Sequence, residues 1–487
     1  MRRGLPFHCW RPVQSLLTRV KVCARNWELG CILPRTQRLF VCIERFFQTL
    51  WGLSRMTLRL KGRDLFELFA NDPEKADAVV FVRVVQEDRR GFLKGAGLAT
   101  MGAMVGATIP FSRNMPGGFI PVAMAEEAMA IEGKEGLVVL GDKPLNAETP
   151  PHLLDDEVTP VSRHYIRNNG TVPDGDAATW KVSIEGEVDT PLTLSIADLK
   201  KQFEVVTAQL TIECGGNGRA FFEPKAKGGQ WTYGAVGCSR WTGVRLADVL
   251  KAAKVKSTAI YTAHYGADQA LDDPAKVPLS RGIPIAKAMD PHTLIAFAMN
   301  DGAMHPQNGH PLRLVVPGWV GSTSHKWLTK IVLRDKVHDG KGMTKHSYRL
   351  PGGSVEPGEA VADEAFTNII QAMPVKSLIT RPKSRIEVAA GKPLEIGGHA
   401  WAGDNTIAAV DVSIDFGATW HKASLAKPAN PYAWQHWKAD ITFPGPGYYE
   451  VWSRATDDEG HGQPFAVAWN PGGYLNNAMH RIAVRVG

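Results

Sequence analysis

The sequence predicts a two-part α+β protein: a mixed α+β domain followed by an all-β sandwich of immunoglobulin type. Three observations lead there. Long amphipathic helices are scarce through the middle of the chain. Short β-branched runs alternate there with Gly/Pro turns, and no GxGxxG or P-loop marks a repeated βαβ array. After residues 376–382 the texture changes to strand-like runs at short, regular spacing, the pattern of a sandwich. A chain of 487 residues exceeds what one core serves, so two main domains are expected, over 126–375 and 376–487.

The N-terminal region differs in charge from the rest. Residues 1–125 hold 19 Lys+Arg against 9 Asp+Glu, and the remainder holds 37 against 40, so the formal net charge of +7 comes from this region alone. It gives no support for nucleic-acid binding. Asp88-Arg89-Arg90-Gly91-Phe92-Leu93-Lys94 is close to the twin-arginine export pattern. A Gly- and Ala-rich run over 95–111 follows, then an Ala123-Met124-Ala125 cleavage site. The run is short and broken by glycines and Pro110, below what a bilayer span needs. Residues 89–125 are therefore expected to be a twin-arginine signal peptide cleaved after Ala125, leaving a periplasmic mature protein with no membrane span. Residues 1–88 show no sustained period and no cap. They are expected to be an N-terminal extension arising from an over-long gene prediction, with Met56 as an alternative start.

Within the mature chain, residues 183–188 predict a strand, 195–202 a helix with a serine cap, and 246–253 a second short helix. Residues 259–262 and 312–316 predict further strands. In the C-terminal part the strand-like runs are 385–388, 394–400, 408–414, 448–455 and 481–486, separated by turns such as Asp415-Phe416-Gly417. Of the six cysteines, only Cys214 and Cys238 lie beyond residue 55. There is no CxxC and no CxxCH, so no zinc site, thioredoxin motif or covalent haem is encoded. Cys238 reads as a packing residue.

The chemistry concentrates in residues 210–246, LTIECGGNGRAFFEPKAKGGQWTYGAVGCSRWTGVRL. A strand at Leu210, Thr211 and Ile212 runs into Cys214. Glycines at 215, 216 and 218 then let the backbone approach a bulky ligand, and Arg219 follows. A thiolate is a soft ligand for a transition metal, and guanidinium is the best fork for an oxyanion. On residue types alone, a buried structural cysteine in a tight turn explains the same stretch.

Glu213-Cys214-Gly215-Gly216-Asn217-Gly218-Arg219 resembles the ECAGN(R)R segment of the sulfite oxidase family of molybdenum enzymes. The likeness continues through Trp231, residues 234–237 and 241–244, and covers the chain from Pro144 to the C-terminus. The resemblance implies a molybdenum–molybdopterin cofactor, Cys214 as the metal's single protein ligand, and oxidation of a sulfur group by oxygen-atom transfer. It also implies a molybdopterin-binding domain followed by a β-sandwich that mediates dimerisation. Arg167, in Tyr165-Ile166-Arg167-Asn168-Asn169, and Arg219 match family residues that bind the anionic substrate; Lys227 and Tyr348 complete the implied catalytic set. The implied cofactor contacts are Tyr165, Arg167, Asn168, Asn169, Cys214 and Asp268. Asn308 and Arg313, in a segment similar to the family's H-G-F-P-V-R, join them, as do Ser324, His325 and Lys326.

Three residues depart from the family pattern. Asn169 and Asn308 replace histidines, and Gly472, in Trp469-Asn470-Pro471-Gly472-Gly473, stands where animal members have arginine. This WNPGGY form, the FFEPK segment and the twin-arginine leader are most similar to the molybdenum subunits of sulfane (sulfite) dehydrogenases of the thiosulfate-oxidising Sox system. That similarity implies sulfite or a sulfane sulfur on a carrier protein as substrate, in a homodimer or hetero-oligomer. With no cytochrome b5-like module and no CxxCH, electrons are expected to leave to a separate c-type cytochrome. A stand-alone sulfite dehydrogenase and a related methionine sulfoxide reductase remain open, as does a non-enzymatic exported β-sandwich binding protein; a plant-type nitrate reductase shares the cofactor domain but has no reason to carry this leader.

Overall fold

The computed structural model describes residues 130–487, so the export signal and extension expected upstream lie outside the described residues. Strands dominate. Among the described residues there are three short α-helices, none longer than seven residues, so the structure is more strand-rich than the α+β expectation. Each of these three helices ends within two turns. Among the described residues no helix is long and apolar enough to cross a membrane.

A small sheet opens the described chain, with strands β1 (Val138–Asp142), β2 (Leu145–Glu148) and β3 (Ile166–Arg167) in that order. Two four-stranded sheets follow. One contains β4 (Lys181–Gly186), β5 (Leu192–Ser195), β8 (Tyr261–Gly266) and β11 (Leu328–Arg334), ordered β5-β4-β11-β8. The other contains β6 (Val205–Glu213), β7 (Val236–Arg245), β9 (Leu294–Met299) and β10 (Arg313–Val315), ordered β10-β9-β7-β6. Only β4 and β11 pair in parallel among these, because β11 returns late in the chain to a central position. Helix α1 (Ile196–Gln202) starts where the serine cap predicts. Ser195 Oγ accepts from the Asp198 N–H at 3.1 Å and the Asp198 carboxylate accepts from the Ser195 N–H at 2.9 Å, a reciprocal cap. With α2 (Leu246–Ala252) and α3 (Ile285–Ala288), it covers a core that includes Val182, Ile184, Leu199, Val249, Leu250, Leu314 and Ile331.

Residues 376–487 form two sheets that share one apolar cluster. One carries Lys376–Arg381, Leu394–Trp401, Gln435–Ile441 and Ser424–Leu425. The other carries Ile386–Val388, His480–Val486, Gly447–Asp457, Ile407–Ser413 and His421–Lys422. Ile396, Val410, Val412, Trp437, Ile441, Val451 and Val484 fill the space between them. The five strand runs expected here all appear within two residues of their expected ends. The Gln435–Ile441 strand was not expected, and residues 376–382, read as a boundary, begin a strand whose burial is nearly complete.

Polar contacts tie this part to the sheets before it. His399 Nε2 meets the Leu154 carbonyl at 2.7 Å, Trp434 Nε1 donates to the Glu157 carbonyl at 2.8 Å, and Arg381 pairs with Asp155 at 2.8 Å.

Candidate active site

Strand β6 is half exposed where it begins and fully buried over its last four residues, so it delivers Cys214 from the surface into the interior. Several bonds fix the cysteine there. The Cys214 N–H donates to the Ala235 carbonyl at 2.9 Å, and the Asn217 N–H donates to the Cys214 carbonyl at 2.8 Å. The preceding carboxylate, Glu213, accepts from Asn217 Nδ2 at 2.9 Å, from Trp401 Nε1 at 2.7 Å and from the ammonium of Lys376. Two of those donors come from the C-terminal sheets. Gly218 adopts φ +91°, and a Cβ there would meet the Asn476 side chain at 2.7 Å, so this turn requires glycine. Cys238, by contrast, is buried, unbridged and pushed up to about 11 by burial, which suits packing rather than metal ligation.

Cys214 opens onto a cavity. The loop between β10 and β11 forms much of its wall. The Gly321 N–H donates to the Glu213 carbonyl at 2.6 Å, which brings Gly321, Ser322, Ser324, His325 and Lys326 beside the cysteine. Strand β3 places Tyr165, Arg167 and Asn169 on another side, and Asp268, Gln307, Asn308 and Arg313 complete the polar lining. The structure therefore brings together most of the sequence-predicted cofactor residues. Asn168 stands just behind the wall, where its Oδ1 accepts from Lys326 and its Nδ2 donates to Gln307 at 2.7 Å.

The cavity is strongly electropositive. Arg313 donates to the carbonyls of Asn308 at 2.7 Å and Ser324 at 2.8 Å, and burial pulls its guanidinium down to about 10. Lys326 is held well below the usual lysine value by burial first and then by Arg313. Burial opposes the charge of Arg167, yet Tyr348, Cys214 and Tyr474 outweigh it and leave that guanidinium above its ordinary value. Asp268 is the one carboxylate on the wall, pushed up to about 6 by burial against the pull of Lys326. His325 is driven down to about 3, so its ring is neutral near pH 7.

The two asparagines that depart from the family pattern hold structure. Asn308 accepts from Lys134 at 2.5 Å and donates to the Tyr165 carbonyl at 3.0 Å, and Asn169 accepts from Arg167 at 2.8 Å. Sequence reasoning missed His164, Gln307 and Ser322 on the wall and Lys134 behind it. His164 and Ser322 adjoin stretches it singled out, so adjacency was the available signal. Lys134 offered none.

Tyr348 closes the cavity near Cys214 at φ +51°, its ring stacked 5.4 Å from Tyr474 and backed by the Arg281 guanidinium at 4.9 Å. Two expected catalytic residues stand elsewhere. Lys227 is exposed and does not line the cavity, because the Lys225–Gly229 loop turns it to solvent. Arg219 is buried just outside the lining: its Nε donates to the Gly472 carbonyl at 2.7 Å and its Nη1 to the Gly229 carbonyl at 3.1 Å.

The donor set fits a molybdopterin. Arg313 Nε, His325 Nδ1 and Ser322 Oγ are buried without a hydrogen-bond partner, on residues that all line the cavity. Unpaired buried polar atoms are costly and call for a polar occupant. Cations outnumber carboxylates around the space, which suits an anionic tail. Arg313, His325, Ser324, Lys326 and Asn308 would hold the pterin, and Cys214 would supply the thiolate for the metal. Bound there, the group would supply a two-electron redox centre.

Comparison with known proteins agrees. Residues 169–341 match the model of the oxidoreductase molybdopterin binding domain, and residues 367–487 match the Mo-co oxidoreductase dimerisation domain. The chain is 35% identical over 364 residues to the mitochondrial sulfite oxidase of Drosophila melanogaster, covering 71% of this chain and 62% of that protein. It therefore spans somewhat less than two thirds of that relative's length. It is 32% identical over 358 residues to the sulfite oxidase of Gallus gallus, covering 71% of this chain and 77% of the relative. Among solved structures, the sulfane dehydrogenase SoxCD of Paracoccus pantotrophus superposes with a TM-score of 0.61 at 28% identity, covering 78% of this chain and 96% of that one. The cysteine-ended strand, the cationic cavity and these matches together establish that the chain belongs to the sulfite oxidase family of molybdopterin oxidoreductases.

Proposed function

We propose that the protein is an exported, molybdenum-dependent oxidoreductase that oxidises sulfite or a carrier-bound sulfane sulfur and passes the electrons to a separate c-type cytochrome. One observation carries this reading: Cys214, Arg167 and Tyr348 share one cavity with Arg313, His325 and Lys326. The first group faces a reacting sulfur, the second an anionic cofactor tail.

In this reading Arg167, a guanidinium that stays charged at neutral pH, binds the sulfur group's oxygens through charge-assisted bonds. The buried wall excludes bulk water and strengthens that attraction. Tyr165, held neutral well above its usual pKa by burial, contributes a hydroxyl donor and no competing charge. With sulfite, the net reaction turns sulfite and water into sulfate, two protons and two electrons. The likeness to the Paracoccus sulfane dehydrogenase supports a sulfane sulfur, and the animal relatives support sulfite. The C-terminal sheets, which match the dimerisation-domain model, are the part we assign to an immunoglobulin-like sandwich that joins subunits. The twin-arginine motif supports a periplasmic location.

The test is reduction of cytochrome c by the exported protein, made in a host that supplies molybdopterin, with sulfite and with glutathione persulfide as donors. Reduction that disappears in Cys214→Ser supports the proposal. No reduction with either donor by a molybdenum-loaded protein overturns it.

A further inference from the structure

We infer that Tyr474 sets substrate selectivity by withholding Arg219 from the reacting sulfur. This rests on the reading of the chain as a sulfur oxidoreductase and names the residues that decide which sulfur group it accepts.

The loop over residues 469–476 leaves the C-terminal sheets and lies against the Cys214 turn. Trp469 Nε1 donates to the Pro224 carbonyl at 2.7 Å, the Leu475 N–H to the Gly215 carbonyl at 2.9 Å, and Asn476 Nδ2 to the Gly218 carbonyl at 2.9 Å. Asn470 closes the loop on itself by accepting from the Tyr474 N–H at 2.9 Å. The anchored loop puts the Tyr474 ring 5.0 Å from the Arg219 guanidinium carbon and 5.4 Å from the ring of Tyr348. A Cβ on Gly215, the residue after Cys214, would lie 3.8 Å from that ring.

Two glycines make this arrangement possible. A Cβ on Gly472 would stand 2.4 Å from the Tyr474 ring, so the ring fills the space that any side chain at 472 needs. Gly473 sits at φ +55°, and a Cβ there would be 2.6 Å from Arg219 Cγ, so the loop is pressed onto the arginine.

Arg219 is thus engaged from several directions. Its Nε and Nη1 are spent on the carbonyls of Gly472 and Gly229, and Tyr474 covers its face. Arg167 lines the cavity together with Cys214 and Tyr348, and Tyr474 stands behind Tyr348, its ring stacked on it at 5.4 Å. A small free dianion gains most where guanidinium forks converge on it. Here it meets one such fork and an aromatic wall. A sulfur atom on an organic arm meets the same wall favourably, since sulfur packs well at aromatic edges. Arg219 is accordingly a positioning residue for the Gly472–Tyr474 loop, and the preferred substrate is a sulfur group carried on a larger molecule.

The experiment is titration calorimetry of the molybdenum-loaded protein with sulfate, alongside KM for sulfite and for glutathione persulfide. Removing the ring in Tyr474→Val uncovers the face of the guanidinium, whose Nη2 is not bound to the Gly472 or Gly229 carbonyl, and sulfate is expected to bind about tenfold more tightly, the worth of one charge-assisted contact. The sulfite KM should fall by a similar factor while the persulfide KM rises. Tyr474→Phe keeps the ring over Arg219 and should not reproduce the gain. Adding Arg219→Gln to Tyr474→Val should abolish it, whereas Arg219→Gln alone should change sulfate affinity by less than about twofold. Equal sulfate affinity in Tyr474→Val and the unmodified protein overturns the inference. So does a large loss from Arg219→Gln alone. The Tyr474 pair decides the matter even where Arg219→Gln does not fold. Failure to oxidise either donor while the sulfate pattern holds would instead count against the enzymatic reading.

Discussion

Breaking the Glu213–Lys376 pair should loosen the metal-binding turn from the C-terminal side. Both residues are nearly sealed from solvent, Glu213 2% and Lys376 6% exposed, and both belong to strands that end or begin at the junction of the two parts. Lys376→Met keeps the bulk of the side chain and removes the charge, stranding a buried carboxylate. Removing one partner of a buried pair costs about 3–5 kcal/mol. Glu213 retains Trp401 Nε1 at 2.7 Å and Asn217 Nδ2 at 2.9 Å, so the lower end, about 3 kcal/mol, is expected. For a folded unit of this size that lowers Tm by about 4 °C. Scanning calorimetry of matched preparations measures it. The double variant Glu213→Gln, Lys376→Met removes the stranded charge and should recover at least half of the loss. A Tm within about 1 °C of the unmodified protein for Lys376→Met, or no recovery in the double variant, would refute the reasoning. Molybdenum retention should fall in parallel, because Glu213 precedes Cys214 and its carbonyl holds Gly321 at 2.6 Å.

Two other perturbations read different parts of the account. Arg313→Met removes the donors to the Asn308 and Ser324 carbonyls and a buried charge from the cavity, so the protein should fold but retain less than about a tenth of its molybdenum after dialysis, by elemental analysis. His480 is driven from 6.5 to about 3 by burial, so the fold holds its ring neutral. The unfolded chain binds this proton first as pH falls. The stabilisation is therefore complete above about 6.5 and is lost progressively toward about 3, at up to about 1.4 kcal/mol per pH unit. His480→Asn keeps an acceptor for the Ile379 N–H, which now reaches Nδ1 at 3.0 Å, and should flatten the loss of stability between pH 6.5 and 4 in denaturant titrations.

The residues whose chemistry is unusual were the ones legible beforehand. A lone cysteine between a strand and a glycine turn, and arginines in motif-like surroundings, stand out from composition. Cys214, Arg167 and Arg313 do line one cavity. Local elements were legible for a similar reason: the Ser195 cap and the alternating runs of the C-terminal part are short-range signals. What the sequence did not reveal is set by long-range pairing. Nothing local places β11 between β4 and β8, or matches Lys376 and Trp401 to Glu213. Arg219 and Lys227 show the limit of motif reasoning. Their spacing from Cys214 is suggestive, but the Gly472 carbonyl and the Tyr474 ring claim one, and solvent claims the other.

The most direct test is the metal content of the exported protein, made in a twin-arginine-competent host that synthesises molybdopterin. The account predicts about one molybdenum per chain, lost in Cys214→Ser while the fold persists. A well-folded, exported protein without molybdenum, or a Cys214→Ser variant that keeps it, would contradict the assignment of Cys214 as the metal's ligand.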